Sequence, residues 1–377
     1  MPYRILQCCP TPLDPRLGTA KVYLEAAAGF RNLGWRADVV GSDEIAAATT
    51  SGDRTAQLRE YLRRRATDYD VVEYEHGLLP FARGDFPATT LMVARSVLLV
   101  HHLLSHPVPN RPGLLHALAG AIKAPLRRKQ LLNSIAQATR TFAEADLINV
   151  SNDDDSTELA RHGIDPAKIV VFPFGLSKAR RRELEVVDIA PPERPCVAFV
   201  GTFDPRKGMC IFPRLVEDVR RAVPDARFKL IGTYGMLRTA TEVLREFPVA
   251  ARAALEVIPQ FDPAQLPTLL RDCSAGVFPS LLEGFGFGVL EMLCAGLPVV
   301  AFRAPGPPMM LSDDYLVPRN DAPAMAAKVV ALLRDRNALT ATRIAARRRS
   351  EDFDWDEITS RTAAEYELRL HALRAGS

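Results

Sequence analysis

Residues 279–300 read PSLLEGFGFGVLEMLCAGLPVV. An apolar run, AGVFPS, ends at Ser280, a turn holds Gly284, Gly286 and Gly288, and a helix end, CAG, leads into a second apolar run, PVVAF. The order is strand, turn, helix, strand. Such a turn exposes backbone N–H groups at a helix N-terminus, where orphan donors and the positive end of the dipole favour an anion. Two glutamates, Glu283 and Glu291, stand eight positions apart across it and suit hydroxyl groups. An anion joined to hydroxyl-rich groups is what a nucleotide-diphosphate sugar offers.

The same alternation runs outward in both directions. Residues 3–9, 36–40, 70–74, 90–93, 145–150 and 168–172 read as strands, and so do 196–201, 226–231, 255–258, 276–279, 299–302 and 315–317. Helical runs such as 21–33, 211–222 and 266–272 separate them. Strands alternating with helices imply parallel sheets covered on both faces. A length of 377 residues exceeds what one core usually serves. The expected fold class is α/β, with two Rossmann-like doubly wound domains facing an interdomain cleft and ligand at the carboxyl ends of the strands. The first domain is expected over 1–176; 177–195, SKARRRELEVVDIAPPERP, reads as the connection; 196–354 is the second domain, and 355–377 is a further helical run.

Composition excludes several classes. Hydrophobic residues make up 47% and charged residues 25%, ordinary for a globular enzyme. Lys and Arg number 48 against 45 Asp and Glu, and a net charge of +3 is too small for nucleic-acid binding through the overall field. Six cysteines have no C-x-x-C spacing and read as reduced thiols of a cytoplasmic protein. No apolar stretch approaches a bilayer span or a leader's core. The basic clusters 63–65 and 127–129 leave peripheral contact with anionic lipid open, at the inner face of the membrane, against the plainer reading of solvated faces.

In the second half, VAFVG leads into GTFDPRKG, which places Arg206 and Lys207 at the carboxyl end of a strand. A bare Arg-Lys pair is usually a solvated turn. Here the strand end and Gly208 favour a functional reading, because sugar transfer from a nucleotide sugar develops negative charge on the departing diphosphate and fixed cations stabilise that state. A glutamate inside the apolar run FGVLEMLCAG is costly unless partnered. Asp153, Asp154 and Asp155 invite a metal reading, but Ser151 or Asn152 as an N-cap with acids in the first turn explains them, so no metal or other cofactor is expected.

These motifs together resemble the retaining GT-B glycosyltransferases of sequence family four, the group 1 glycosyl transferases. The likeness rests on FVGTFDPRKG, FKLIGTYG, VIPQF, PSLLEGFGFGVLEMLCAGLPVVAF and FDWDEITSRTAAEY. It implies metal-independent transfer, with retention, from a nucleotide-diphosphate sugar bound by 196–354 to an acceptor hydroxyl on a glycan, lipid-linked or small-metabolite acceptor bound by 1–176, with the helix 355–377 crossing back onto the first domain. Glu283 would hold hydroxyls of the donor sugar, Glu291 the ribose, and Lys207 with Arg206 the diphosphate. Gly201 and Thr202 would border the donor, Gly232, Pro259 and Gln260 would frame the base, and Ser280, Gly284, Phe285 and Gly286 would line the phosphate site.

The chain departs from the family pattern in three places. Thr202 stands where many members have arginine, so Arg206 would supply that charge. Leu17-Gly18-Thr19 stands where a Gly-Gly pair is frequent, leaving Gly18 as the close-approach residue. The family's first-domain histidine matches VARSVLLVHHLL in two ways, one giving Val97 and the other His101 or His102. Arg95, His101 and His102 stay open, with His102 taken as the catalytic candidate, and His76 is a further cleft residue at a strand end. Two other readings weigh less. GFGFG lacks the spacing and the following acid of a dinucleotide fingerprint, which argues against an NAD-dependent oxidoreductase. An inactive scaffold of the same fold has only Thr202 and the ambiguous histidine in its favour.

Overall fold

Six parallel strands form the sheet of a first unit: β1 (Arg4–Cys8), β2 (Arg36–Val40), β3 (Val71–Glu75), β4 (Leu91–Arg95), β5 (Leu147–Val150) and β6 (Ile169–Val171), in the order β2-β1-β3-β4-β5-β6. The computed structural model describes residues 2–14, 17–77, 79, 81–108 and 114–375, the side chains of 114–123 excepted. This unit comprises 1–105, 123–177 and 355–377. Successive strand residues point to opposite faces. Accordingly Ile5, Val71, Val93 and Leu147 share one core, and Leu6, Val72, Met92 and Ile148 another.

Helices cover both faces: α1 (Gly18–Asn32), α2 (Ser42–Ala47), α3 (Arg54–Arg65), α4 (His102–Ser105), α5 (Leu114–Glu144) and α6 (Asp153–Arg161). Asn152 caps α6 by accepting from Asp155 N at 2.8 Å, the capping role expected there.

The second unit comprises 106–122 and 178–354, its sheet lying wholly in the latter. Its helices are α7 (Lys178–Glu185), α8 (Phe212–Ala222), α9 (Ala240–Arg245), α10 (Val249–Arg252), α11 (Leu266–Leu270), α12 (Phe287–Cys294), α13 (Ala322–Arg334) and α14 (Arg336–Ser350). Its strands are β7 (Cys196–Val200), β8 (Arg227–Ile231), β9 (Leu255–Ile258), β10 (Ala275–Phe278), β11 (Val299–Phe302) and β12 (Leu316–Val317). All are parallel, in the order β12-β11-β10-β7-β8-β9. Read from the other edge, that is the doubly wound order whose direction reverses between β7 and β10.

The charged stretch 177–195, read from sequence as a connection, carries α7 and packs within the second unit. Leu184 and Val187 are the apolar anchors hidden among its charges, at 0% and 2% exposure.

The last helix, α15 (Trp355–Ala375), belongs to the first unit and packs on α1 and β4. Gly29 permits the approach, since a Cβ there would meet Thr359 Oγ1 at 2.5 Å. Tyr366 completes a buried polar network across the first sheet. Its hydroxyl donates to Glu73 Oε2 at 2.6 Å and accepts from Asn149 at 2.9 Å, while Gln7 and Arg95 donate to Glu73 Oε1 at 2.8 and 2.9 Å.

Candidate active site

The reversal between β7 and β10 leaves two loops side by side at the carboxyl ends of those strands, and nearly all the charged candidates of the second unit stand on them. After β7, Asp204 caps a 3-10 turn, Pro205–Lys207: its Oδ1 accepts from Lys207 N at 3.2 Å and its Oδ2 accepts from the Thr202 hydroxyl at 2.7 Å. Proline at the first turn position suits the fixed φ there. Gly208 then takes φ 86, and a Cβ on it would lie 2.2 Å from the Pro279 carbonyl oxygen. The two loops therefore touch backbone to side-chain position. Leu281 N donates to Arg206 O at 2.8 Å and Arg206 Nη1 donates to Leu282 O at 2.9 Å, which fastens them further.

Glu283 is the centre of this junction. Lys207 Nζ stands 2.6 Å and Arg206 Nη1 3.3 Å from its Oε1, and the Ser280 hydroxyl donates to the same oxygen. Burial opposes charge on Glu283, yet Lys207 and Arg206, with the bonds from Lys207 and Ser280, hold its carboxyl below the usual range. The carboxylate is ionised at neutral pH. Lys207 also lies over the Phe278 ring, 5.2 Å from its centroid.

The glycine turn follows directly. Gly286 caps α12 in the left-handed region, φ 99, and Val289 N donates to its carbonyl. Gly288 has no room for a side chain because a Cβ would meet Val200 O at 2.4 Å, so α12 starts hard against the end of β7. Glu291 sits in the middle of α12, where Arg180 Nη2 meets its Oε1 at 3.2 Å. Nearby, Gly232 takes φ 76 against the Phe261 ring, Tyr234 N donates to Pro259 O at 3.0 Å, and Gln260 is exposed. Gly201, φ 152, donates to Ile231 O. An apolar cavity of ≈ 350 Å³, lined by Leu293, Met310, Tyr315, Thr342 and Arg349 among others, holds none of these residues.

The first unit's candidates are more enclosed. Gly18 opens α1 with nothing within 4 Å of an added Cβ. Arg95 is 2% exposed and spends Nη1 on both oxygens of Glu73, so it is a member of the interior network rather than of an open pocket. His102 Nε2 meets Asp155 Oδ1 at 2.8 Å, and His101 Nε2 meets Thr139 Oγ1 at 3.0 Å. His76 stacks on Phe142 at 5.1 Å and contacts Glu75. Burial lowers the tendency of His76 to protonate, but Glu75 overrides it and the net shift is upward. His101 is pushed down to about 3 by burial, then by His162, His76 and His102. Among the described residues no group of three or more His, Cys, Asp or Glu side chains has the arrangement of a metal site.

Two residues escaped the sequence reading. Asp204 was legible as an Asx N-cap before proline. Arg180 was masked by the charge run around it.

Against known proteins, the model of the family described as glycosyl transferases group 1 matches residues 194–335. A phosphatidyl-myo-inositol mannosyltransferase of Mycolicibacterium smegmatis is 28% identical over 301 residues, covering 76% of this chain and 72% of that enzyme. Residues 194–335 carry the likeness to the group 1 glycosyl transferases. A D-inositol 3-phosphate glycosyltransferase of Streptomyces avermitilis is 30% identical over 252 residues, 62% of this chain. The match spans only 54% of that relative's own length. Among solved structures, sucrose-phosphate synthase from Thermosynechococcus elongatus superposes with a TM-score of 0.71 at 16% identity, covering 98% of this chain and all of the other. Anabaena HepE, crystallised with UDP and glucose, gives 0.65 at 16% identity, covering 97% and 99%. At such identity the likeness is one of fold, the GT-B fold. No described helix is long and apolar enough to cross a membrane.

Proposed function

We propose that the chain is a retaining glycosyltransferase that moves a sugar from a nucleotide-diphosphate donor to an acceptor hydroxyl, in glycan, polysaccharide or glycolipid synthesis. The observation that carries this reading is the convergence of Lys207, Arg206 and Ser280 on Glu283 at the topological switch point, with Glu291 farther along the helix that leaves it. The diphosphate lies against the start of α12 and beside Lys207 and Arg206, Glu283 takes hydroxyls of the transferred sugar, and Glu291 takes those of the ribose. Gly232, Pro259 and Gln260 frame the base. As the anomeric C–O bond breaks, charge gathers on the departing phosphate, where preorganised cations and helix dipole act most strongly. The acceptor hydroxyl attacks from the same face, forms the new C–O bond, and passes its proton to that phosphate. No enzyme nucleophile takes part, and no metal is assigned a role.

The test is a thermal-shift screen of UDP-, GDP- and ADP-sugars, since a ligand that binds only the folded state raises apparent stability. At least one should raise Tm in a concentration-dependent way. Stabilisation by NAD(H) and by no nucleotide sugar rejects the reading.

The acceptor is assigned to the first unit, residues 1–176 with the returning helix 355–377. The exposed turns of α5 support a lipid-linked acceptor: Leu126 and Leu132 lie bare beside exposed Arg127, Arg128 and Lys129. Apolar and cationic groups together suit an anionic membrane surface. Co-sedimentation with vesicles containing phosphatidylserine, and none with phosphatidylcholine alone, is the expected result; equal pelleting with neither composition removes it.

A further inference from the structure

Arg180 is a buried guanidinium in a highly charged helix. It is 9% exposed, while Arg182 and Glu183 of the same helix are open to solvent. Its fork reaches two separate parts of the second unit. Nη2 meets Glu291 Oε1 at 3.2 Å on α12, and Nη1 donates to the Pro263 carbonyl at 2.7 Å, with Glu183 Oε2 at 2.9 Å as a further partner. Pro263 opens a 3-10 turn, Pro263–Gln265, that Asp262 and Gln265 fix by a reciprocal capping box. That turn continues the stretch 259–261, whose Pro259 carbonyl holds Tyr234 N and whose Phe261 ring rests on Gly232. One side chain thus joins the carboxylate assigned to the ribose to the backbone assigned to the base.

We propose that Arg180 is the positioning residue of the nucleoside half of the donor site: it sets the plane of the Glu291 carboxylate and the spacing between that carboxylate and the base-framing loop. This rests on the nucleotide-sugar reading of the same site. A carboxylate within an apolar helix has few polar partners, and a fixed cation holds it in one orientation. Guanidinium suits the task because its rigid planar fork serves two acceptors in different directions at once, which the single ammonium of lysine does not do with the same geometry. The phosphate half of the site does not depend on Arg180, since Lys207 and Arg206 are held by Glu283, Asp204 and the Leu282 carbonyl.

The experiment compares wild type, Arg180→Gln, Arg180→Lys and Glu291→Gln for calorimetric binding of UDP, GDP and ADP and of inorganic pyrophosphate, with steady-state kinetics on the donor that stabilises wild type. Arg180→Gln should weaken the preferred nucleoside diphosphate at least tenfold and raise donor KM in proportion. Its pyrophosphate affinity and kcat should stay within threefold of wild type, Arg180→Lys should fall between, and adding Arg180→Gln to Glu291→Gln should weaken binding by less than twofold more. If wild type takes up a nucleoside diphosphate and Arg180→Gln does so equally well, the positioning role is wrong while the site stands. Parallel loss of pyrophosphate and nucleoside diphosphate, or of the melting transition in both Arg180 variants, marks Arg180 as a general support of the fold and equally overturns the role. Wild type binding none of the three nucleotides removes the nucleotide-sugar reading itself.

Discussion

Lys207 Nζ lies 2.6 Å from Glu283 Oε1, so the cation assigned to the diphosphate and the carboxylate assigned to the sugar are bonded to each other. Each orients the other. Glu283→Gln and Lys207→Met should therefore each lower kcat by about 10²–10³, the range seen when one preorganised charge-stabilising group is removed. Because the two act as a unit, the double variant should fall far short of the product of the single losses. A rate for Glu283→Gln equal to wild type in a folded protein takes that carboxylate out of the chemistry.

Steric limits make a second expectation. Gly208→Ala would bring a Cβ to 2.2 Å from Pro279 O, and Gly288→Ala would bring one to 2.4 Å from Val200 O, in both cases against backbone. Each should destabilise the second unit by at least about 2 kcal/mol, since neither neighbour is the end of a flexible side chain. Gly18→Ala has open space and should stay within about 0.5 kcal/mol of wild type in denaturant melts. Equal midpoints for all three variants contradict the packing.

The interior of the first unit supplies a third. Arg95→Met leaves Glu73, wholly buried, without its cation and should cost about 3–5 kcal/mol. Tyr366→Phe removes one donor to Glu73 and the acceptor of Asn149, and should cost about 1–3 kcal/mol. Urea unfolding monitored on that unit measures both; a loss below 1 kcal/mol for Arg95→Met shows that the pair carries little.

The strand positions and the donor-side motif were legible from sequence because both write themselves locally. A parallel strand buried on both faces is a short apolar run, and a glycine forced by a backbone clash, as at Gly288, stays visible as a glycine. The first unit was harder. Arg95 looks the same at a strand end whether it faces a ligand or pairs with Glu73, and the deciding partner is on the neighbouring strand, 22 residues away, with Tyr366 arriving from 293 residues beyond Glu73. His101 and His102 are likewise separated by partners, Thr139 and Asp155, that no spacing rule connects to them. Arg180 failed for the opposite reason, being one arginine among three in a row.

The pH response of the first unit should be set in part by His101. Its protonation is suppressed in the folded state, to about 3, by burial and by His162, His76 and His102. The unfolded chain takes up that proton near pH 6.5, so stability is unaffected above this value and falls as pH drops towards 3. His76, shifted upward by Glu75 against burial, works in the other direction. Relative to wild type, His101→Asn should gain stability as the pH is lowered from 7 to 4.5, while Thr139, Phe142 and Asp155 remain in place. Parallel stability curves for the two proteins across that range refute the assignment.

The network closed by Tyr366 has a consequence for where the polypeptide can be cut. Glu73 and the hydroxyl that donates to it stand 293 residues apart in the chain. A chain cut ahead of α15 keeps the Arg95–Glu73 pair without that donor and bares the core around Phe30 and Val93 that Ala363, Tyr366 and Leu370 cover. The first unit without α15 is therefore an unfinished object rather than a smaller domain.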